Sequence, residues 1–318
     1  MSTRSPVLFL VFNRPDTTQR VFDAIRAARP PRLYVAADGP RAGRAGEAAR
    51  CEAVRRIATA VDWPCELVTL MRPTNLGCKR AVSSAITWFF EREPEGIILE
   101  DDCLPDPSFF GYCDELLERF RDDERIMCIS GDNFISGSWQ PDASYYFSRF
   151  NHIWGWASWR RAWQRYDVDM RAWNPVEAAM LLGQVFPRDR LARIYWREAF
   201  DRVTKGEIDT WDYQWTFACW REAAVTCLPR VNLISNLGFG TDATHTVTAE
   251  NTLANLPTEA IQLPLVHPQL IEITEQADRW TIKYVFGIHH VHFVRRWLAN
   301  VPFLGRGLRA LHRLTVNA

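Results

Sequence analysis

The sequence predicts an α/β fold in which a mostly parallel central sheet is flanked by helices. Two observations carry that expectation. Short apolar runs alternate with stretches of helical spacing through the first half of the chain, and polar residues collect where each run ends. Val7 to Phe12 reads as a buried strand, and Asp16 to Ala28 as the helix after it, with Asp16, Thr17 and Thr18 as caps. Leu33 to Ala37 is the second strand, followed by a helix from about Gly46 to Ala60. A strand at Glu66 to Met71 and a helix at Lys79 to Glu91 come next. Ile97 to Leu99 then form the strand that delivers Glu100, Asp101 and Asp102. Pro107 to Arg121 is its helix, and Ile126 to Ser130 a fifth strand.

Composition narrows the function classes. The chain has 318 residues, 47% hydrophobic and 24% charged, enough to bury a substantial core. Lys plus Arg equals Asp plus Glu at 38 each, so no global field points to nucleic acid as a partner. The eight cysteines include no C-x-x-C pair and read as reduced thiols of a cytoplasmic protein, not as a disulfide frame or zinc site. The apolar opening "SPVLFLVFNRP" reads as a first strand and not a secretory leader.

Beyond Gly131 the texture turns aromatic. Ten of the fourteen tryptophans lie between Trp139 and Trp220, with helices expected at Trp159 to Arg165, Pro175 to Leu182, Arg190 to Thr204 and Asp212 to Ala223. Asp242 to His267 is polar and irregular, and Arg279 to Ala318 holds seven Lys or Arg and no acid. The expected organisation is therefore a nucleotide-binding half over 1–131, an acceptor-binding and catalytic half over 132–267, and a basic extension over 268–318. That extension could dock on the protein or lie peripherally on the anionic inner face of a membrane.

Three adjacent carboxylates at a strand end repel one another unless a cation or several donors compensate. In open α/β sheets that position faces the ligand crevice. Oxygen-only ligation suits Mn²⁺ or Mg²⁺, which use one or two protein carboxylates plus phosphate and water. A solvated acidic turn ahead of the Pro107 helix is the structural alternative. The earlier strand ends carry Asn13 and Arg14, then Asp38 and Gly39, then Asn75, Gly77, Lys79 and Arg80. An aspartate such as Asp38 can accept the imide hydrogen of uracil, while Arg14, Lys79 and Arg80 can face a diphosphate. Turns also favour Asn, Asp and Gly for backbone reasons alone. No G-x-G-x-x-G follows the first strand and no G-x-x-x-x-G-K-[ST] occurs, which argues against a dinucleotide dehydrogenase or P-loop enzyme.

The segments "VFNRPDTTQRVFDAI", "VAADG", "NLGCKRAVSSAI", "IILEDDCLPDPSFFGY", "ISGDNF", "HIWGWASWRRAW", "DTWDYQW" and "PRVNLISNLGFGTDATHT" occur in that order. The set resembles GT-A-fold, sugar-nucleotide-dependent glycosyltransferases over about Pro6 to Thr246. Bacterial family-2-like members are nearest in kind, and the N-acetylglucosaminyltransferase I class is more distant. The resemblance implies a GT-A type nucleotide-diphospho-sugar transferase fold and a hexosyl- or N-acetylhexosaminyltransferase of polysaccharide biosynthesis. It implies that Asp102 ligates Mn²⁺, that Asp101 and Glu100 contact the donor, and that Arg14 and Asp38 hold the nucleotide. Asp212 matches the catalytic base, and the segment from Phe239 and Gly240 to His245 matches a loop over the diphosphate. The chain departs from the pattern where the paired acids become Asp209-Thr-Trp-Asp212, and in the spacing to His245.

The chemistry also follows without the family. Expelling a nucleoside diphosphate from a sugar builds negative charge on phosphate, which a divalent ion at Asp102 would stabilise. Asp212 or Asp209 would take the acceptor hydroxyl's proton, and a single displacement inverts the anomeric centre. Asp212 as a helix N-terminal acid favouring the dipole is its structural alternative. Trp154, Gly155 and Trp156 could meet a sugar ring, whereas Trp159 and Trp163, at i and i+4, read as core. His152 reads equally as a structural histidine or a ligand, and His245 as a phosphate contact or a solvated loop residue. The expected partners are a nucleotide-sugar donor, UDP-linked by preference, and a saccharide or lipid-linked saccharide acceptor. A sugar-1-phosphate nucleotidyltransferase and a non-catalytic carbohydrate-binding or membrane-active protein are the rival readings.

Overall fold

A computed structural model describes residues 2–135, 139–238 and 253–288. Strand β1 (Val7–Val11) is buried along its whole length. Helix α1 (Pro15–Ala28) opens with Pro at its first position, where a missing N–H costs nothing, and closes at Arg29 in the left-handed conformation (φ 47°). β2 (Arg32–Ala37), α2 (Glu47–Ala58), β3 (Glu66–Met71), α3 (Gly77–Phe90) and β4 (Glu95–Glu100) complete the β-α alternation. β3, β2, β1 and β4 pair in that order, all parallel. The chain first adds strands on one side of β1 and then returns to add β4 on the other. That reversal opens a crevice beyond the carboxyl ends of β1 and β4.

The remaining elements extend the sheet less regularly. They are β5 (Cys103–Pro105), α4 (Ser108–Arg119), β6 (Ile126–Ser130), β7 (Tyr145–Ser148), β8 (Trp156–Trp159), α5 (Arg160–Trp163), α6 (Pro175–Val185), α7 (Arg190–Thr204), α8 (Asp212–Arg221), β9 (Val225–Pro229), β10 (Ile234–Asn236) and α9 (Glu275–Trp280). The main sheet runs β3-β2-β1-β4-β8-β6-β9-β7, and β10 pairs antiparallel with β5 in a small second sheet. β8 inserts antiparallel between β4 and β6, so the fifth strand of the sequence pattern does not adjoin the fourth. The helix expected over Trp159 to Arg165 is correspondingly shortened to Arg160–Trp163. One sheet thus takes strands from both sides of residue 131.

Each sheet face has its own core. Val7, Phe9 and Val11 point toward Phe22, Ile25, Phe109 and Leu116; the alternate residues Leu8 and Leu10 join Ile86, Phe89, Trp156 and Trp215. A third cluster joins α6, α7 and α8 through Leu181, Trp196, Phe200 and Trp220. The described start of the C-terminal extension docks on the protein. Asp278, 1% exposed, accepts the Ser148 hydroxyl at 2.5 Å and pairs with Arg149 Nε at 2.7 Å, while Ile282 and Ile288 are buried. The remainder of the extension, from 289 onward, lies outside the described residues. Among the described residues no helix is long and apolar enough to cross a membrane.

Candidate active site

A cleft of about 550 Å³ lies at the reversal point. Its floor is the acidic turn that follows β4. Asp101 is buried and accepts the Phe12 N–H at 2.9 Å, which ties the ends of β1 and β4 together. Burial and the neighbouring Asp102 push its carboxyl up. Glu100 is raised by burial, then by Asp102, Asp101 and Asp212, with Arg14 opposing. Asp102 takes the Arg14 guanidinium on Oδ2 at 2.5 Å, both side chains being less than one-fifth exposed (17% and 19%). Burial works against the charge of Arg14, yet Asp102, Asp101 and Glu100 together raise its pKa. Arg14 directly precedes α1 and makes no side-chain cap to that helix, so its guanidinium serves the turn instead.

The segment after β10 closes against the same turn. The Leu237 N–H donates to the Asp102 carbonyl at 2.7 Å. Gly238 then passes so close that a Cβ there would lie 2.1 Å from Asp102 Oδ2 and 3.1 Å from Arg14 Nη1.

The loops after β2 and β3 make the adjoining wall. Asp38 accepts the Gly39 N–H at 2.9 Å, the Asn75 side-chain amide at 2.8 Å and the Leu76 N–H at 3.1 Å. Burial still raises its carboxyl against those bonds. Gly39 is required by sterics, since a Cβ would lie 2.4 Å from the Thr74 backbone. The N-terminus of α8 also lines the cleft. Asp212 accepts the Thr210 hydroxyl and its neighbour's Tyr213 N–H, both on Oδ1, and Asp209 lies against Gly77 at the start of α3. Trp154 completes the lining, its N–H donating to the buried Asp132 at 3.0 Å.

No family model matches the chain, and no curated protein does. Among solved structures, galactosyltransferase LgtC in complex with donor and acceptor sugar analogs is similar at 11% identity and TM-score 0.35, over 79% of this chain and 84% of that one. HddC from Yersinia pseudotuberculosis is similar at 10% identity and TM-score 0.29, over 49% of this chain and 77% of that one.

The cleft gathers Arg14, Asp38, Asn75, Glu100, Asp101, Asp102, Trp154, Asp209 and Asp212. It does not gather five other residues singled out in the sequence. Asn13 donates to the fully buried Glu47 at 3.0 Å and serves the loop instead of a ligand. Lys79 lies 4.0 Å from Asp169, and Arg80 is exposed on α3 outside the cleft. Trp156 is fully buried in β8, stacked on Trp211 at 5.6 Å, so it is a core residue and not a sugar platform. Gly155 adopts φ +83°, and a Cβ there would meet Ile234 at 2.5 Å; packing, not a sugar, requires the glycine. His245, Phe239 and Gly240 lie outside the described residues. His152 is 8% exposed, against the Phe134 ring at 4.4 Å, and burial holds its pKa at about 3.

Arg41, Arg72, Thr210, Asn236 and Gly238 line the cleft without having stood out. Arg41 is gripped by Glu47, whose carboxyl it holds at about 2, and its guanidinium stacks over Phe12 at 5.5 Å. Arg41 sits in the same "AADGPR" turn as Asp38, which was the available signal. Gly238 offers none, because only its distance to Asp102 marks it.

Among the described residues no group of three or more His, Cys, Asp or Glu is arranged to hold a metal ion. The donor set fits a hard cation in one way: Asp102 as the protein carboxylate, with phosphate and water oxygens completing the shell. Asp101 has one oxygen engaged by the Phe12 N–H, and Glu100 lines the cleft beside it.

Proposed function

We propose that the chain is a GT-A-type glycosyltransferase that moves a sugar from a nucleotide-diphosphate donor, UDP-linked by preference, to a hydroxyl of a saccharide or lipid-linked saccharide. The observation that carries this reading is the meeting, in one switch-point cleft, of Arg14 and Glu100 to Asp102 with the separate Asp209/Asp212 pair at the start of α8. A nucleoside diphosphate needs cationic donors at its phosphates, and an acceptor hydroxyl needs a carboxylate on the far side of the sugar. Arg14, Arg41 and Arg72 offer the first, and Asp212 the second. Asp38 and Asn75 form the polar wall for the base.

Asp102 would hold Mn²⁺ or Mg²⁺ alongside the donor's phosphates, and that ion would supply Lewis-acid stabilisation of the departing diphosphate. Asp212, steadied by Thr210 on one oxygen, accepts the acceptor's proton as the new bond forms. One displacement gives inversion, and Trp154, which lines the cleft, would face a hexose or N-acetylhexosamine ring. The test is a panel of UDP, GDP, CMP and TDP sugars with oligosaccharide acceptors, with and without Mn²⁺, followed by release of the nucleotide and the anomeric configuration of the product. Release from a UDP-sugar that requires acceptor is the expected result. Pyrophosphate release from a nucleoside triphosphate plus sugar-1-phosphate, or no turnover of any donor, would overturn it.

A further inference from the structure

We propose that Arg14 competes with the divalent cation for Asp102, so that the ion binds firmly only once a diphosphate has drawn the guanidinium away; this rests on the glycosyl-transfer reading above. Arg14 Nη1 sits 2.5 Å from Asp102 Oδ2 in a pocket where both side chains are largely withdrawn from water. The same oxygen is crowded by Gly238, where a Cβ would lie 2.1 Å from it and 3.1 Å from Arg14 Nη1. Asp101 Oδ2 is engaged by the Phe12 N–H, and Glu100 lines the same cleft.

A divalent ion arriving alone must therefore displace a guanidinium from its best-placed oxygen and then sit beside that positive charge. A diphosphate removes both obstacles. Its oxygens match the planar fork of Arg14 better than one carboxylate oxygen does, and they supply the further ligands that an octahedral ion requires. Phosphate arrival and release of Asp102 thus become one event. Linkage makes the effect reciprocal: the factor by which nucleotide tightens the ion is the factor by which the ion tightens nucleotide.

The experiment is Mn²⁺ titration of the whole chain, read from loss of the free-ion electron paramagnetic resonance signal, with and without saturating UDP and corrected for the Mn²⁺–UDP complex in solution. Wild type is expected to bind Mn²⁺ alone at least about tenfold more weakly than with UDP, within the usual range of coupling between sites. Arg14→Met and Arg14→Gln, which keep bulk without charge, are expected to bind Mn²⁺ alone about tenfold more tightly than wild type, while Arg14→Lys stays weak. Two results would overturn the competition: wild type binding Mn²⁺ equally well without UDP, or both uncharged variants binding it no better than wild type. Should the variants fail to fold, equal Mn²⁺ binding by wild type with and without UDP would still overturn the competition. If UDP binds and donor turns over while Mn²⁺ affinity ignores Arg14, only the competition falls; if UDP does not bind at all, the glycosyl-transfer reading falls with it.

Discussion

His152 allows a stability prediction with a worked magnitude. The ring is buried against Phe134 in the segment that leads to Trp154, and burial keeps it neutral down to about pH 3. In the unfolded chain the same imidazole titrates near the ordinary value of about 6.5. Between those two values the unfolded state binds a proton that the folded state refuses, so the histidine's contribution is complete above the upper value and is lost as pH falls toward the lower one. At about pH 5 the loss is 1.5 pH units at about 1.4 kcal/mol each, or about 2 kcal/mol relative to neutral pH. Asp278, raised by burial to about 6, and the raised Glu100 and Asp101 work with the opposite sign, gaining stability on acidification. The histidine term must therefore be isolated as a difference. Urea denaturation of wild type and His152→Gln near neutral pH and at about pH 5 is the assay, and wild type is expected to lose about 2 kcal/mol more than the variant. Parallel loss in the two proteins would refute the buried, neutral assignment.

Other residues give sharper functional contrasts. Asp212→Asn keeps the Oδ1 acceptor for Thr210 and Tyr213, so the fold and UDP affinity should stand while turnover drops about 10²- to 10⁴-fold, measured as kcat under saturating donor. Trp156→Ala should cost about 3–5 kcal/mol by chemical denaturation and leave the sugar affinity of the surviving folded protein unchanged; a selective loss of sugar binding would contradict its place in the core. Gly238→Ala places a methyl group against Asp102 and should cost about 1–3 kcal/mol of stability while weakening nucleotide binding by calorimetry; an unaltered UDP affinity would show that the close approach does not shape the site.

Much of this molecule was legible from local pattern. The short apolar runs and helical spacings locate β1, β2, β3, β4 and β6 and their helices to within a few residues, because each apolar run must bury itself whatever its neighbours are. α7 falls on Arg190–Thr204 as its spacing predicts, and its Asp189 cap accepts the Ala192 N–H. β8 was hidden for a physical reason. Four residues, Trp-Ala-Ser-Trp, form a strand only because β4 and β6 present backbone groups on either side of them, and nothing within the tetrapeptide announces those partners.

The sequence by itself determined which residue types stand at the strand ends, since apolar strands and polar loops are set by burial alone: Arg14, Asp38, Asn75 and the acid triplet follow from that. Only the tertiary structure decided which of them share a space. Return of the chain to the far side of β1 brings Asp102 under Arg14, and packing of α8 brings Asp209 and Asp212 to the same cleft. The same packing turns Trp156 inward, Asn13 toward Glu47 and Gly238 onto Asp102. Distances between segments tens of residues apart depend on how two sheet faces fill with side chains, and no single stretch of sequence encodes that.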